Sequence, residues 1–230
     1  MRQGRFSTYG EFLGEALDPS RFLTQEQIDW CDKHIDGKWG VNAKGEVTVP
    51  LYVSFKYKSF ERFPVQFAPV KGDFDCRDCP NLASLKGAPS HVGGSFSCSE
   101  CPKLTSLEGA PSHVGRYFSC GECPIVSLKG APSHVGDSFS CGECPKLTSL
   151  KGAPSHVGDS FNCRSCPKLA SLEGAPAHVG GYFWYNDCPK LPASFEGIIE
   201  DFMEGRIDWK MAHKLIHSET GRKAHSIGLI

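Results

Sequence analysis

The chain has 230 residues, and its 25 lysines and arginines nearly balance 26 aspartates and glutamates, which gives a formal net charge of −1. This balance argues against both a global basic field for nucleic acid and an acidic tail for basic partners. Residues 1–20 lack the apolar stretch of about 7–15 residues that a secretory signal needs, and no apolar run is long enough to span a membrane. We therefore expect a cytoplasmic protein whose 12 cysteines stay reduced.

Residues 1–48 are predicted to form an N-terminal cap of two short helices and a hairpin. Capping-box signatures at Thr8-x-x-Glu11 and Thr24-x-x-Gln27 each precede apolar residues at helical spacing. These apolar residues are Tyr9, Phe12, Leu13 and Ala16 after the first box, and Ile28, Cys31 and Ile35 after the second. The turn residues at positions 42–45 predict a hairpin after the second helix.

Residues 49–197 are dominated by an internal repeat. Five consecutive units run from Phe74 to Tyr182, with lengths of 22, 22, 21, 22 and 22 residues, and the second reads FSCSECPKLTSLEGAPSHVGRY. A sixth, incomplete unit starts at Phe183. Upstream, apolar residues continue the spacing, and Tyr52, Ser54 and Tyr57 are aligned with the phenylalanine and the two cysteines. We therefore predict about seven units, with atypical units at both ends acting as caps.

The repeated pattern predicts a solenoid. In Phe-x-Cys, residues i and i+2 point to one face of a short strand, here the interior. Gly-Ala-Pro and Val-Gly are predicted to supply the turns of each lap. One unit cannot bury its apolar face alone, so stacked units share a continuous core.

Residues 198–230 are predicted to form a C-terminal helical cap and tail. Apolar residues at helical spacing indicate one helix after Pro192, and Asp208 is a candidate N-cap of another. The apolar residues are Ile198, Ile199, Phe202 and Met203 in the first helix, and Trp209, Ala212 and Ile216 in the second.

Each unit resembles a leucine-rich repeat, a class with periods of about 20–29 residues. On that consensus, Phe96 and Cys98 take the in-strand apolar positions and Cys101 takes the Asn/Cys position, while Leu104 follows one residue late. The units are similar to the short leucine-rich repeats of secreted bacterial effectors, and more closely to a group of tailed-phage-encoded proteins with LTSLEGAP…VGG.F.C units. The resemblance covers roughly two thirds of the chain. It implies a β-rich, leucine-rich-repeat-like solenoid in a virus-encoded protein that acts on a host factor.

The cysteines and histidines of the units leave several interpretations open. The Cys-x-x-Cys pairs are 76/79, 98/101, 120/123, 141/144 and 163/166, and the accompanying histidines are His91, His113, His134, His156 and His178. We favour a buried ladder of small side chains for the thiols, with structural zinc or disulfides as the alternatives. We favour solvated positions beside a turn for the histidines, with a pH sensor as the alternative. We predict no catalytic residues, no metal and no cofactor.

The outward positions of the strands are the predicted binding face, because solenoids usually bind on an open strand face. Most of them are serine or glycine, interrupted by aromatic and arginine residues of the types enriched in binding hot spots. An acidic row that includes three glutamates runs beside them. The residues predicted to bind a partner are Arg116, Tyr117, Arg164, Tyr182, Trp184, Glu100, Glu122 and Glu143. The alternatives without a binding role are that Tyr182 and Trp184 only pack under the C-terminal cap and that the acidic residues serve solubility.

We therefore expect a non-enzymatic protein–protein interaction module that is phage-encoded and binds a host protein of defence or housekeeping. We expect a protein partner, and not a small molecule, a nucleic acid or a membrane; the sequence predicts no oligomeric state. The alternatives are a zinc-dependent nucleic-acid-binding repeat protein and a structural or assembly component of a virion.

Overall fold

The structure, a computed structural model, describes the backbone of residues 17–226 and the side chains of residues 17–218. Over this range the chain winds into a β-solenoid, as the repeats predict, with parallel strands stacked lap upon lap. The helix predicted after Thr8 lies outside the described residues.

One parallel sheet, which we call the Phe sheet, runs the length of the solenoid. Its seven strands pair in register, so that Phe96 lies beside Phe118 and Ser97 beside Ser119. We number its strands as rungs 1 to 7: β3 (Val53–Ser54), β4 (Phe74–Asp75), β6 (Phe96–Ser97), β8 (Phe118–Ser119), β10 (Phe139–Ser140), β12 (Phe161–Asn162) and β14 (Phe183–Trp184). The seven rungs confirm the predicted number of units.

A second parallel sheet, which we call the His sheet, was not predicted. Its five strands are β5 (His91–Val92), β7 (His113–Val114), β9 (His134–Val135), β11 (His156–Val157) and β13 (His178–Val179). The valine of the predicted Val-Gly turn therefore lies in a strand, which corrects that assignment, while the glycine after it lies at a bend. Four of these histidines are exposed, in agreement with the predicted solvated positions. The glycine after each valine allows the close stacking, since a Cβ on Gly158 would lie 1.9 Å from the oxygen of Gly136.

The interior consists of columns of identical side chains. The phenylalanines of rungs 2 to 7 are at most 1% exposed, and their neighbouring ring centroids lie 5.1–5.5 Å apart. Columns of cysteine, leucine and valine fill the rest of each lap. All twelve cysteines are buried and unpaired, which confirms the predicted thiol ladder.

The second cysteine of each unit is also a hydrogen-bond donor. The Cys123 thiol donates to the carbonyl oxygen of Cys98 on the preceding rung at 3.1 Å, and Cys101 donates to Cys76 in the same way at 3.3 Å. No backbone N–H of the described residues donates to the Cys98 carbonyl. The thiol therefore satisfies a buried acceptor at the point where the strand ends, where an orphaned carbonyl would be costly.

Rung 1 has a different register from the predicted one. Val53 pairs with Phe74, which places Val53 and Phe55 inward. The alignment of Tyr52 and Tyr57 with core positions is wrong, because these side chains are 70% and 69% exposed. A one-residue slip moves every side chain to the other face.

The N-terminal end of the solenoid is closed by a helix and a hairpin. Helix α1 (Gln25–His34) begins with the predicted capping box at Thr24, and β1 (Gly40–Val41) pairs antiparallel with β2 (Val47–Thr48), as predicted. Trp30 packs its ring against Phe55 and Phe60, with centroids 5.7 and 5.3 Å apart. The helix thereby covers the first aromatic layer.

Two helices close the C-terminal end, α2 (Ser194–Met203) and α3 (Trp209–Ser226). Asp208 caps α3 as predicted, accepting a hydrogen bond from the Met211 backbone at 2.8 Å. Trp209 stacks on Phe183 at 5.1 Å and donates its indole N–H to the Pro176 carbonyl at 3.0 Å. The indole thus extends the phenylalanine column by one layer. None of the helices in the described range combines the length and apolarity that crossing a membrane requires.

Candidate interaction site

The outward face of the Phe sheet holds an open trough of about 300 Å³. Small residues form its floor, because the positions that alternate with the buried phenylalanine and cysteine are serine or glycine on rungs 3 to 5. The residues that line the trough are Arg77, Ser97, Ser99, Glu100, Tyr117, Ser119, Gly121, Glu122, Ser140, Gly142, Glu143, Asn162 and Arg164. The sequence therefore builds a recess by omitting large side chains from the middle of one face.

Three glutamates form one long edge of the trough, which we call the acidic edge. Glu100, Glu122 and Glu143 follow one another on rungs 3, 4 and 5, each with a left-handed φ of 58–62°. The backbone N–H of each still donates to the next rung, as from Glu100 to the Gly121 carbonyl at 3.0 Å. The left-handed backbone costs a non-glycine residue about 1–2 kcal/mol, and the ladder spaces these carboxylates at about 4.8 Å.

Neighbouring carboxylates repel one another within this row. The hydrogen bond that Asp78 on rung 2 shares with Glu100, followed by the charge of Asp78, raises the pKa of Glu100 above its ordinary value. The charge of Glu122 acts in the same direction. A cation placed beside the row would relieve this repulsion.

The floor of the trough contains two buried serines in different states. Ser119 and Ser140 are each 9% exposed. The Ser119 hydroxyl is hydrogen-bonded to that of Ser99. The Ser140 hydroxyl makes no hydrogen bond within the described residues, and the residue lines the trough, where the hydroxyl is open to a ligand or solvent.

An arginine closes each end of the trough. Arg77 forms an ion pair with Asp75, with 3.1 Å between Nε and Oδ2. Arg164 has no carboxylate within ion-pair distance in the part of the chain that the structure describes. Its backbone N–H donates to the Asn162 side chain at 3.0 Å, which fixes the local turn. Arg77 was missed as a site residue, and its outward register on rung 2 was the signal that could have identified it.

Exposed aromatic residues border the trough on the same face. Tyr117 is 39% exposed on the long edge opposite the acidic edge. Tyr182 and Trp184 on rung 7 are 54% and 44% exposed, with ring centroids 5.4 Å apart. The alternative that these two side chains only pack under the C-terminal cap is wrong. Trp184 pairs with Asn162, so the aromatic pair is continuous with the trough.

Arg116 is the one predicted site residue that the structure separates from the others. It lies before Tyr117, beyond the trough, and forms an ion pair with Asp137 with 3.6 Å between Nε and Oδ2. Arg116 precedes the outward-facing Tyr117, and the side chains of consecutive residues in extended backbone point in different directions. Seven of the eight predicted residues therefore lie on one face.

Within the described residues, the repeated cysteines and histidines of each unit do not come together. The Cys-x-x-Cys thiols lie in the interior, whereas the histidines of the same units lie on the His sheet. Burial raises the pKa of Cys144 to about 12 and raises the pKa of Cys120 well above its ordinary value, so these thiols are protonated at neutral pH. No group of three or more Cys, His, Asp or Glu within the described residues is arranged to hold a metal ion.

Comparisons with protein-family models, with curated proteins and with solved structures give no match to this chain. The fold and the site define a class: a β-solenoid repeat protein with helical end caps and an open, polar strand face flanked by aromatic residues.

Proposed function

We propose that this protein is a non-enzymatic interaction module that binds another protein through the outer face of its Phe sheet. The observation that carries the proposal is the exposure of Tyr117, Tyr182 and Trp184 on the same face as Arg164. Aromatic and arginine side chains dominate binding hot spots, and they do so best when they border a region that excludes water. Isolated surface aromatics would need no such explanation, but these cluster around a trough.

The dimensions of the face suit a protein surface better than a small molecule. From Arg77 on rung 2 to Arg164 on rung 6 the face spans four strand intervals, or about 19 Å. The trough is open and mainly polar along this length, whereas small-molecule pockets are mostly enclosed and apolar. The side chains most used as nucleophile or general base, cysteine and histidine, are not among the residues that line the trough. These features support binding over catalysis.

We further propose that the protein is phage-encoded and that its partner is a host protein in the bacterial cytoplasm. This part rests on the resemblance of the repeat units to those of tailed-phage-encoded proteins. A fold does not determine a partner, so the partner must be identified experimentally.

Affinity purification from bacterial lysate tests the binding face. The wild-type chain is compared with the triple variant Arg164→Ala, Tyr182→Ala, Trp184→Ala. We expect a specific protein that the wild type retains and the triple variant loses. A partner retained equally by both would show that the face is wrongly assigned.

The matched control carries three alanines at exposed positions on the side of the solenoid between the two sheets, Lys103, Val126 and Lys168. We expect the control variant to retain the partner. Equal loss from both triple variants would contradict the proposed face, because it would show that no single surface carries the binding. Circular dichroism of all three proteins verifies that the solenoid is intact.

A further inference from the structure

We propose that the trough binds an extended, positively charged peptide segment of about six residues, whose lysines or arginines face the acidic edge. This inference rests on the proposed function and specifies which part of a protein partner the face binds. The length of the trough, its charge and a free hydroxyl on its floor support this occupant.

The length of the trough suits a short extended chain. Its span of about 19 Å corresponds to six residues at the rise of about 3.3 Å per residue of an extended strand. The small serine and glycine residues of the floor leave the outer face of the strands open to such a segment.

The charge of the lining favours a cationic segment. Arg77 is already neutralised by Asp75, so the lining contributes the three carboxylates of the acidic edge against the single unpaired charge of Arg164. Alternate side chains of an extended peptide are about 6.6 Å apart, and the acidic edge extends over two strand intervals, or about 10 Å. Two basic side chains at positions i and i+2 therefore fit within its length.

An independent feature of the floor indicates a ligand with hydrogen-bonding groups. Ser140 is only 9% exposed as a residue, and its hydroxyl makes no hydrogen bond within the described part of the chain although it lies at the trough. The hydroxyl is therefore free to bond a group placed on the floor. A peptide amide there would supply a hydrogen-bond partner.

Fluorescence anisotropy with dye-labelled probes tests the inference. The probes are the hexapeptides Lys-Ser-Lys-Ser-Lys-Ser, Gln-Ser-Gln-Ser-Gln-Ser and Glu-Ser-Glu-Ser-Glu-Ser, with unlabelled spermine as a competitor that carries charge but no peptide groups. We expect the lysine probe to bind at least tenfold more tightly than the glutamine probe, and the glutamate probe not to bind. We expect spermine to compete at least tenfold less well than the unlabelled lysine peptide.

Two double variants localise the binding. Glu122→Gln with Glu143→Gln should weaken the lysine probe at least tenfold. The control, Glu108→Gln with Glu173→Gln, removes two acids outside the trough, which pair with Lys129 and Lys151, and should change the affinity for the lysine probe less than twofold. Ser140→Trp should abolish binding by filling the trough.

The chain itself accepts tryptophan at the Ser140 position of a rung, because Trp184 occupies it on rung 7. Circular dichroism therefore serves to verify that Ser140→Trp is folded. If that variant is unfolded, the double glutamine variants decide the question alone.

The outcomes separate this inference from the proposed function. Equal binding of the lysine and glutamine probes, equal effects of the two double variants, or equal competition by spermine and the lysine peptide would overturn the peptide-binding trough. In any of these cases, a lysate partner that depends on Tyr182 and Trp184 would leave the proposed function standing. Conversely, a lysine probe that binds as expected, with no lysate partner dependent on the face, would refute the proposed function alone.

Discussion

Replacement of Cys123 separates the two roles of the buried thiols, packing and hydrogen bonding. Cys123 on rung 4 is fully buried and donates to the Cys98 carbonyl at 3.1 Å. Cys120 on the same rung is also fully buried, but the carbonyl within its reach, that of Ser140, lies 3.5 Å away and already accepts a backbone N–H at 2.9 Å. The two cysteines are therefore a matched pair in which only the bond of Cys123 satisfies an otherwise unpartnered carbonyl, whereas the longer contact of Cys120 is redundant.

The expected free energies of unfolding follow from this difference. Truncation of either cysteine to alanine removes a buried group of about methylene size, which costs about 1 kcal/mol, with a further term for the cavity. Cys123→Ala also leaves the Cys98 carbonyl without a partner, at about 1–3 kcal/mol. We expect losses of about 1–2 kcal/mol for Cys120→Ala and about 2–4 kcal/mol for Cys123→Ala.

Serine variants give a sharper test because they reverse the order. Cys123→Ser restores a donor and should cost less than Cys123→Ala. Cys120→Ser buries a hydroxyl with no acceptor within normal O–H···O range and should cost more than Cys120→Ala. Urea denaturation followed by far-ultraviolet circular dichroism measures all four variants. The same order of serine and alanine at both positions would refute the hydrogen-bonding role of the second cysteine.

Three further predictions concern the caps, the close stacking and pH. Trp209→Ala should lower the free energy of unfolding by about 3–5 kcal/mol, since it removes the last layer of the aromatic column; a thermal melt that is unchanged would contradict the capping role. Gly158→Ala should destabilise the His sheet, because its Cβ would overlap a carbonyl of the preceding lap. Gly197→Ala in α2 has open space around it and should raise the free energy of unfolding by about 1 kcal/mol. Urea midpoints of the two variants that shift in the same direction would contradict this. Partial burial, followed by the charges of the flanking histidines, lowers the pKa of His156. The unfolded chain therefore binds the proton more readily, and stability should fall as the pH drops below about 6.5; a His156→Gln variant with an undiminished loss would contradict this assignment.

The core could be predicted from the sequence because the repeats align every lap with the next. Phe-x-Cys places its two apolar side chains on one face, and five near-identical copies in register leave little freedom in how they stack. The same alternation correctly placed Tyr117, Arg164 and Trp184 outward. Both helical caps followed from capping residues and apolar spacing, since these signals act locally.

The register at the N-terminal end of the array was harder to predict, because the repeat is degenerate there. Continuing the spacing upstream aligned Tyr52 with the phenylalanine position, yet Val53 occupies the core position. The unit at this end is one residue shorter than its neighbour, since Tyr57 has the left-handed backbone of Asp78 at a separation of 21 residues. Local chemistry alone does not fix such a register.

The His sheet and the trough could not be predicted from the sequence, because both depend on how the chain is arranged in three dimensions. A two-residue strand such as β11 is too short to display a period of two, so His156 and Val157 resemble a turn in the sequence. The trough arises because small residues on three rungs lie between Arg77 and Arg164, which are far apart in the chain. Arg116 was misplaced for the opposite reason. It is next to Tyr117 in the sequence, but its side chain does not point in the same direction as that of Tyr117.

Site-specific photocrosslinking in bacterial lysate tests the central claim, that the outer face of the Phe sheet binds a protein partner. A photoreactive phenylalanine analogue is placed at Ser97 or Tyr182 on that face, and at His134 or Lys168 on the other sides of the solenoid. We predict one covalent adduct of the same partner from Ser97 and Tyr182, and none from His134 or Lys168. Adducts that form from His134 or Lys168 instead, or equally from all four positions, would contradict the account.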